Sequence, residues 1–242
     1  MTAATRVRDF FGRVESDRLG EESNYSPEIA EFLACERRML ERLLPSATLL
    51  VEVACGSGRY LRLAAAHDVP YLGVDVAERH VEAGRRAAAE QGLPAHRYRF
   101  ALGAAETIAD VAPPDEDALV LFPFSILSAL PDLGALAEQL RRLRSPFLAS
   151  LYRPTERMTA GRLEYYRRCG FRGVEVRRSA RGVSLTTADG LTTTAYEPSF
   201  LEELWARHGL EVELAFLSDL YAAAVTPSLL TPLCPSPPLR GS

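Results

Sequence analysis

Glu52, Gly56 and Gly58 are the residues whose types and spacing first suggest chemistry. They stand in Leu49-Leu50-Val51-Glu52-Val53-Ala54-Cys55-Gly56-Ser57-Gly58-Arg59-Tyr60, an apolar run with one acid that breaks into two glycines two apart. Two such glycines let a backbone bend sharply and lie against a ligand with no side chain in the way. A second acid, Asp75, follows seventeen residues after Gly58, near the end of the apolar run Tyr71 to Val76. A carboxylate at the end of a strand is placed to accept hydrogen bonds from both hydroxyls of a ribose. Bend and carboxylate together describe a nucleotide-type site. The dinucleotide fingerprint G-x-G-x-x-G needs a third glycine where this chain has Leu61. A P-loop needs a lysine, and all 28 basic residues here are arginines. The same absence excludes a Schiff-base lysine and the pyridoxal-phosphate chemistry built on one.

The glycine stretch resembles motif I of the class I S-adenosylmethionine (SAM) methyltransferases, written E/D-x-G-x-G-x-G. Glu52, Gly56 and Gly58 match it, and Ala54 takes the place of the first glycine. The resemblance implies SAM as cofactor, its methionine part against the glycine turn and its ribose on Asp75. Gly103-Ala104-Ala105-Glu106 resembles the family's G-D-A-E turn with Ala104 in the Asp slot. Adenine would then rest on the Ala105 backbone and on apolar contacts, with Glu106 either a contact or only a helix-start acid. The expected cofactor residues are Glu52, Ala54, Gly56, Gly58, Arg59, Asp75, Val76, Ala105, Glu106 and Phe122.

In that family the loop after the fourth strand faces the transferred methyl. Here it is Pro123-Phe124-Ser125-Ile126-Leu127-Ser128. Phe124 and Ser125 are expected substrate contacts, Phe124 having core packing as its alternative, and Tyr152 and Tyr165 are expected beside them. Tyr25 and Tyr166 are the catalytic candidates, because an aromatic face attracts a sulfonium cation. Tyr25 has packing beneath its own helix as its alternative. Tyr165 and Tyr166 are neighbours on a helix, so at most one is expected to face the ligand. The loop holds no Asp, Glu or His. His67, His80, His96 and His208 read as surface or helix-cap residues.

This absence of a general base shapes the functional expectation. It is a SAM-dependent transferase of secondary-metabolism type. It methylates a small molecule whose nucleophile needs little deprotonation, such as a carboxylate, an amine or an acidic hydroxyl. One alternative keeps SAM and cyclises it, giving azetidine-2-carboxylate and methylthioadenosine. Another is a catalytically silent module of the same fold acting as a partner protein.

The elements that must position these residues alternate along the chain. Strands are expected at Leu49–Val53, Tyr71–Val76, Arg97–Ala101, Asp117–Phe122 and Phe147–Tyr152, with helices between them. Ser26-Pro27-Glu28 is a strong helix start. Thr159–Cys169 reads as a helix, and three antiparallel strands follow between 173 and 196. A further helix and an antiparallel strand pair end at Val225. The expected fold is α/β. It is a Rossmann-like, seven-stranded, mostly parallel sheet with helices on both faces, plus a small antiparallel insert over the active site. The expected division is an N-terminal helical lid over 1–45, a methyltransferase domain over 46–225 with its substrate cap near 153–197, and a proline-rich tail over 226–242, extended or disordered.

Over 242 residues the net charge is −4, which invites neither nucleic acid nor anionic lipid. Cys35, Cys55, Cys169 and Cys234 form no metal-binding pattern and read as free thiols of a reducing compartment. No metal is expected. No signal peptide and no run of about 18 apolar residues is found, so a soluble cytoplasmic protein is expected. The partner expected is a small molecule, and the sequence is silent on oligomeric state.

Overall fold

The computed structural model describes residues 9–113, 115 and 117–230. Among the described residues, ten strands and six α-helices are arranged as a seven-stranded sheet, a separate three-stranded sheet and their covering helices. In chain order the elements begin with α1 (Pro27–Leu43), β1 (Leu49–Val53), α2 (Leu61–Ala66), β2 (Tyr71–Asp75), α3 (Glu78–Glu90) and β3 (Tyr98–Leu102). Then come β4 (Ala118–Phe122), α4 (Leu133–Leu143), β5 (Phe147–Tyr152) and α5 (Glu156–Arg168). The short strands β6 (Glu175–Ser179), β7 (Gly182–Thr186) and β8 (Thr192–Tyr196) precede α6 (Pro198–Arg207), β9 (Glu213–Phe216) and β10 (Tyr221–Val225).

The large sheet has the order β3-β2-β1-β4-β5-β10-β9. β1 to β5 pair in parallel, and β10 is antiparallel to both β5 and β9. β1, β2, β4, β5 and β10 are buried along their whole length, as continuous apolar runs covered on both faces must be. Two cores follow from this. One side of the sheet buries Ile29, Phe32 and Leu40 of α1 with Leu61 and Val81. The other buries Leu136 and Leu140 of α4 with Leu201 and Trp205 of α6.

The caps follow from the sequence. Ser26 Oγ accepts the Ile29 N–H at 3.3 Å, and Pro27 opens α1. Asp132 accepts the Ala135 N–H at 3.0 Å to start α4. α5 begins at Glu156, three residues before its expected start, because Thr155 caps it by accepting the Met158 N–H at 3.2 Å. The first antiparallel strand of the insert runs over Glu175–Ser179, two residues later than expected. In the expected tail, Pro227–Leu229 forms one 3-10 turn, and residues 231–242 lie outside the described residues.

The strand order reverses between β1 and β4, and in such sheets the ligand crevice opens at the carboxyl ends of the strands flanking that reversal. Ala54, Asp75 and Pro123 stand at those ends. The small sheet closes over the same end, with β8 packed against the turn Ile126–Ala129 and against β5. No helix among the described residues is long and apolar enough to cross a membrane.

Candidate cofactor and acceptor site

One cavity of about 900 Å³ occupies this end of the sheet. Its floor is the corner after β1. Ala54, Gly56 and Gly58 all have positive φ, at 57°, 57° and 96°. The corner therefore takes the left-handed shape at Ala54 too, where the resembled motif has glycine. The two glycines do different work. A methyl group added at Gly56 would meet nothing within 4 Å, because the position opens into the cavity. One added at Gly58 would sit 3.0 Å from the Phe100 ring and 3.1 Å from Leu61 Cβ. Gly58 thus lets the turn pack on its own protein and does not line the cavity.

Asp75, 5% exposed, closes one side. Its Oδ2 accepts the Gly56 N–H at 2.8 Å, so the carboxylate and the glycine corner are one unit. Its Oδ1 accepts the Ala77 N–H at 2.9 Å and lies 3.2 Å from His80 Nδ1. The other ring nitrogen of His80 is 2.9 Å from Asp17 of the N-terminal segment. The hydrogen bond to Asp75 raises the His80 pKa above its ordinary value against the opposing effect of burial, and the bond to Asp17 adds to the rise. Burial alone would raise the Asp17 carboxyl, but Arg79 and His80 outweigh it and hold it below the ordinary value. Arg79 also donates to the carbonyls of Phe11 at 2.9 Å and Arg13 at 2.6 Å. Val76, Gly103, Ala104, Ala105 and Glu106 continue this wall, as an adenine-side turn would.

Glu52 is fully buried behind the corner and does not line the cavity. Its Oε2 accepts the Tyr60 N–H at 3.0 Å and the Tyr71 hydroxyl at 2.7 Å, which fastens the start of α2, while Oε1 has no partner. Burial pushes this carboxyl up to about 7. Phe122 likewise faces away, fully buried against Phe147 in the opposite core.

The other end of the cavity is aromatic. Phe124 and Ser125 are consecutive left-handed residues, with φ of 51° and 53°. A bulky residue holds such a conformation only where its surroundings impose it. The Phe124 N–H donates to Glu36 of α1 at 2.6 Å, and the Ser125 Oγ accepts the Tyr152 N–H at 3.1 Å. Glu36 is fully buried on the apolar face of α1 and also accepts the Tyr60 hydroxyl, so one carboxylate ties α1 to both the glycine corner and the loop after β4. Burial raises its pKa against the hydrogen bonds. Phe124, Ser125, Tyr152, Tyr165 and Tyr166 all line the cavity. Both neighbouring tyrosines of α5 reach the wall, contrary to the helical expectation, because the cavity curves round α5 from the N-terminal segment to β8. Tyr165 donates to the Leu19 carbonyl, whereas Tyr166 bonds Thr193 Oγ1 at 2.6 Å. Tyr25 is off the wall. Its hydroxyl donates to the Gly20 carbonyl at 2.9 Å and accepts from Arg59 at 3.0 Å, and its ring packs edge-on to Phe124. The Arg59 guanidinium lies 4.7 Å from the Phe124 ring centre and faces the cavity with no carboxylate partner among the described residues.

Residues 50–146 match the family model of the methyltransferase domain. These residues are similar to that domain, and the sheet order and covering helices are those of the class I methyltransferase fold. Solved structures agree in architecture over nearly the whole chain. A protein from Pyrococcus horikoshii superposes with a TM-score of 0.59 at 16% identity, covering 89% of this chain and 97% of that one. The 1,6-didemethyltoxoflavin-N1-methyltransferase of Burkholderia thailandensis, solved with its substrate and S-adenosylhomocysteine, gives 0.55 at 14% identity, covering 92% of this chain and 87% of that one. A curated relative, a SAM-dependent Diels-Alderase from Talaromyces variabilis, is 38% identical over 63 residues, which span 24% of this chain and 22% of that protein. SAM is the cofactor of this family. The domain's cavity fits it, since an open glycine corner and a buried carboxylate share one wall.

Three contributors to the site escape a reading of local motifs. Glu36 was marked only by being an acid on the apolar stripe Ile29, Phe32, Met39, Leu40 and Leu43. His80 and Asp17 meet across 63 positions, and nothing local to either announces the pair. Arg162, fully buried behind Tyr152 and Thr193, carries no signal in its own stretch.

Proposed function

We propose that this chain is a SAM-dependent methyltransferase that acts on a small, planar molecule whose nucleophile needs little deprotonation. The observation that carries the reading is the bond between the Gly56 N–H and Asp75 Oδ2, on the wall of a cavity whose other end is aromatic. Asp75 would accept the ribose hydroxyls. Val76 and the Ala105 backbone would meet the adenine, with Glu106 at its edge. The open face at Gly56, beside Ala54, would take the methionine part, and Arg59 its carboxylate. Glu52 and Gly58 would act from behind, by holding the corner in shape, and Tyr25 would hold Arg59. SAM supplies a methyl carbon already activated by positive sulfur. The protein's task is then alignment and exclusion of water. Phe124, Ser125, Tyr152, Tyr165 and Tyr166 would form the acceptor's box.

Among the described residues, the parts of the wall that come from the loop after β4 and from β5, α5 and β8 include no Asp, Glu or His. An acceptor that must lose a proton would find no side-chain base there. The Burkholderia structure of the same fold holds 1,6-didemethyltoxoflavin beside S-adenosylhomocysteine, which supports a small-molecule acceptor. The Talaromyces relative uses SAM for a different reaction, so the test must read the cofactor's fate.

The protein is incubated with SAM, with and without a panel of small acids, amines and phenols, and the adenosyl products are identified by mass spectrometry. S-adenosylhomocysteine formed only with an acceptor is the expected result. Methylthioadenosine from SAM alone would replace this reading by intramolecular cyclisation. Asp75→Ala should weaken S-adenosylhomocysteine more than about tenfold in calorimetry, as the loss of hydrogen bonds to a charged group of about 1.5–3 kcal/mol requires. An unchanged affinity overturns the ribose assignment.

A further inference from the structure

We infer that the hydroxyls of Thr193 and Tyr166, backed by Arg162, form an anion subsite at the aromatic end of the cavity, and that the acceptor carries a carboxylate bound there. The inference rests on the methyltransferase reading and narrows its substrate class.

Arg162 is fully buried. It donates from Nη1 to the Val183 carbonyl at 3.2 Å and from Nη2 to the Thr193 carbonyl and Oγ1 at 2.8 and 2.7 Å. Its Nε has no partner. Its guanidinium carbon lies 5.2 Å from the centre of the Tyr152 ring. No carboxylate pairs with it among the described residues. An arginine remains charged in a protein, and a buried ion without a counter-charge is strongly disfavoured. Carbonyls and a ring face offset only part of that cost. A negative charge delivered by a ligand would offset more.

The hydrogens can be counted. Arg162 takes one lone pair of Thr193 Oγ1. Thr193 Oγ1 and Tyr166 Oη are 2.6 Å apart and share one hydrogen bond, in which either can donate. The two hydroxyls carry two hydrogens, and that bond uses one. In both arrangements one O–H remains, on a residue that lines the cavity. It is polarised by the cation behind it, and so it is a donor suited to an anionic oxygen.

The charges around the cavity agree. The acids on its wall, Asp17, Glu21, Glu22, Asp75 and Glu106, all belong to the N-terminal segment or to the cofactor half. At the acceptor end the wall is Phe124, Tyr152, Tyr165 and Leu191 around the hydroxyl pair, which suits a planar acid. A carboxylate also needs no base. Its oxygen attacks the methyl carbon, a C–O bond forms, and the C–S bond breaks with its electron pair going to sulfur. Anion and sulfonium become a neutral ester and a neutral thioether, and no proton moves.

The test is calorimetric and uses the full chain. S-adenosylhomocysteine is titrated first, then benzoate and its neutral analogue benzamide are titrated into the saturated protein. Benzoate is expected to bind at least tenfold tighter than benzamide. A double variant, Thr193→Val with Tyr166→Phe, keeps the shape and should abolish that preference while leaving the affinity for S-adenosylhomocysteine unchanged. Arg162→Lys should retain part of the preference and Arg162→Met none. Binding of S-adenosylhomocysteine without a benzoate preference, or a preference that survives in the double variant, overturns the anion subsite alone. Failure of S-adenosylhomocysteine to bind overturns the methyltransferase reading and this inference with it.

Discussion

At the scale of single residues, Gly56 and Gly58 separate cofactor binding from folding. Both have positive φ, where alanine costs about 1–2 kcal/mol through its Cβ. At Gly56 that is the whole cost to the fold, because the new methyl would project into the cavity. Gly56→Ala should therefore melt about 2–8 °C below the parent, at about 2–4 °C per kcal/mol for a chain this long, and bind SAM at least tenfold more weakly. At Gly58 the methyl meets Phe100 at 3.0 Å and Leu61 at 3.1 Å. Gly58→Ala should add overpacking to strain, about 2–4 kcal/mol in all. Its melting temperature should fall by roughly 5–15 °C, with binding of S-adenosylhomocysteine retained below the new transition. Melting curves paired with titrations separate the two cases, and a stable Gly58→Ala would contradict the packing argument. The sequence could show that both glycines were needed, since their spacing is local. It could not show that one serves the ligand and the other Phe100, because that depends on a ring from the third strand.

At the scale of elements, the N-terminal segment is held over the cavity by α3. Arg79 gathers its carbonyls, and His80 bridges Asp17 to Asp75. A protonated imidazole donates from both nitrogens and serves both carboxylates, whereas a neutral one donates from only one. The His80 pKa is raised, so the bridge is fully present below the ordinary histidine value of about 6.5 and is lost as pH rises through the higher folded value. Asp17 is shifted the other way, so its part fails only in acid, below the ordinary carboxylate range. Hydrogen exchange of residues 14–24, corrected for intrinsic rates, should thus show protection falling between pH 6 and pH 8.5. His80→Ala should remove that dependence and lower protection at pH 6 by roughly fivefold, which corresponds to about 1 kcal/mol for a partly exposed ion pair. A parent protein whose protection is flat with pH would rule out the bridge as a latch. The strands and helices beneath this segment were legible because apolar runs, glycine turns and caps are local signals. The way the segment is fastened was not, because Arg79 reaches back 68 positions to the Phe11 carbonyl and His80 reaches 63.

At the scale of the whole molecule, the buried titratable groups give an unusual dependence of stability on pH. Glu52 and Glu36 are fully buried, and burial raises both carboxyls, Glu52 to about 7. The folded state therefore holds protons that the unfolded chain gives up near the ordinary carboxylate value. Stability falls as pH rises from about 4.5 to 7, because the folded state is the better proton binder over that window. The His80 shift has the same sign and extends the decline above neutrality. Glu138 and Glu164, held low by surface arginines and, for Glu138, first by His208, act in the opposite sense but only below the ordinary carboxylate range. The carboxyl of Glu52 alone, at about 1.4 kcal/mol per unit, corresponds to roughly 3 kcal/mol across its window. The protein without cofactor should consequently melt highest near pH 5 and lose roughly 5–10 °C by pH 8. Thermal scans in buffers of constant ionic strength measure it. Glu52→Gln, which cannot ionise, should flatten the decline between pH 5 and 7 whatever its own stability, since its amide loses no proton. A parent protein that gains stability from pH 5 to 8 would mean that Glu52 is ionised in the fold, and that a counter-charge faces the Oε1 now without a partner.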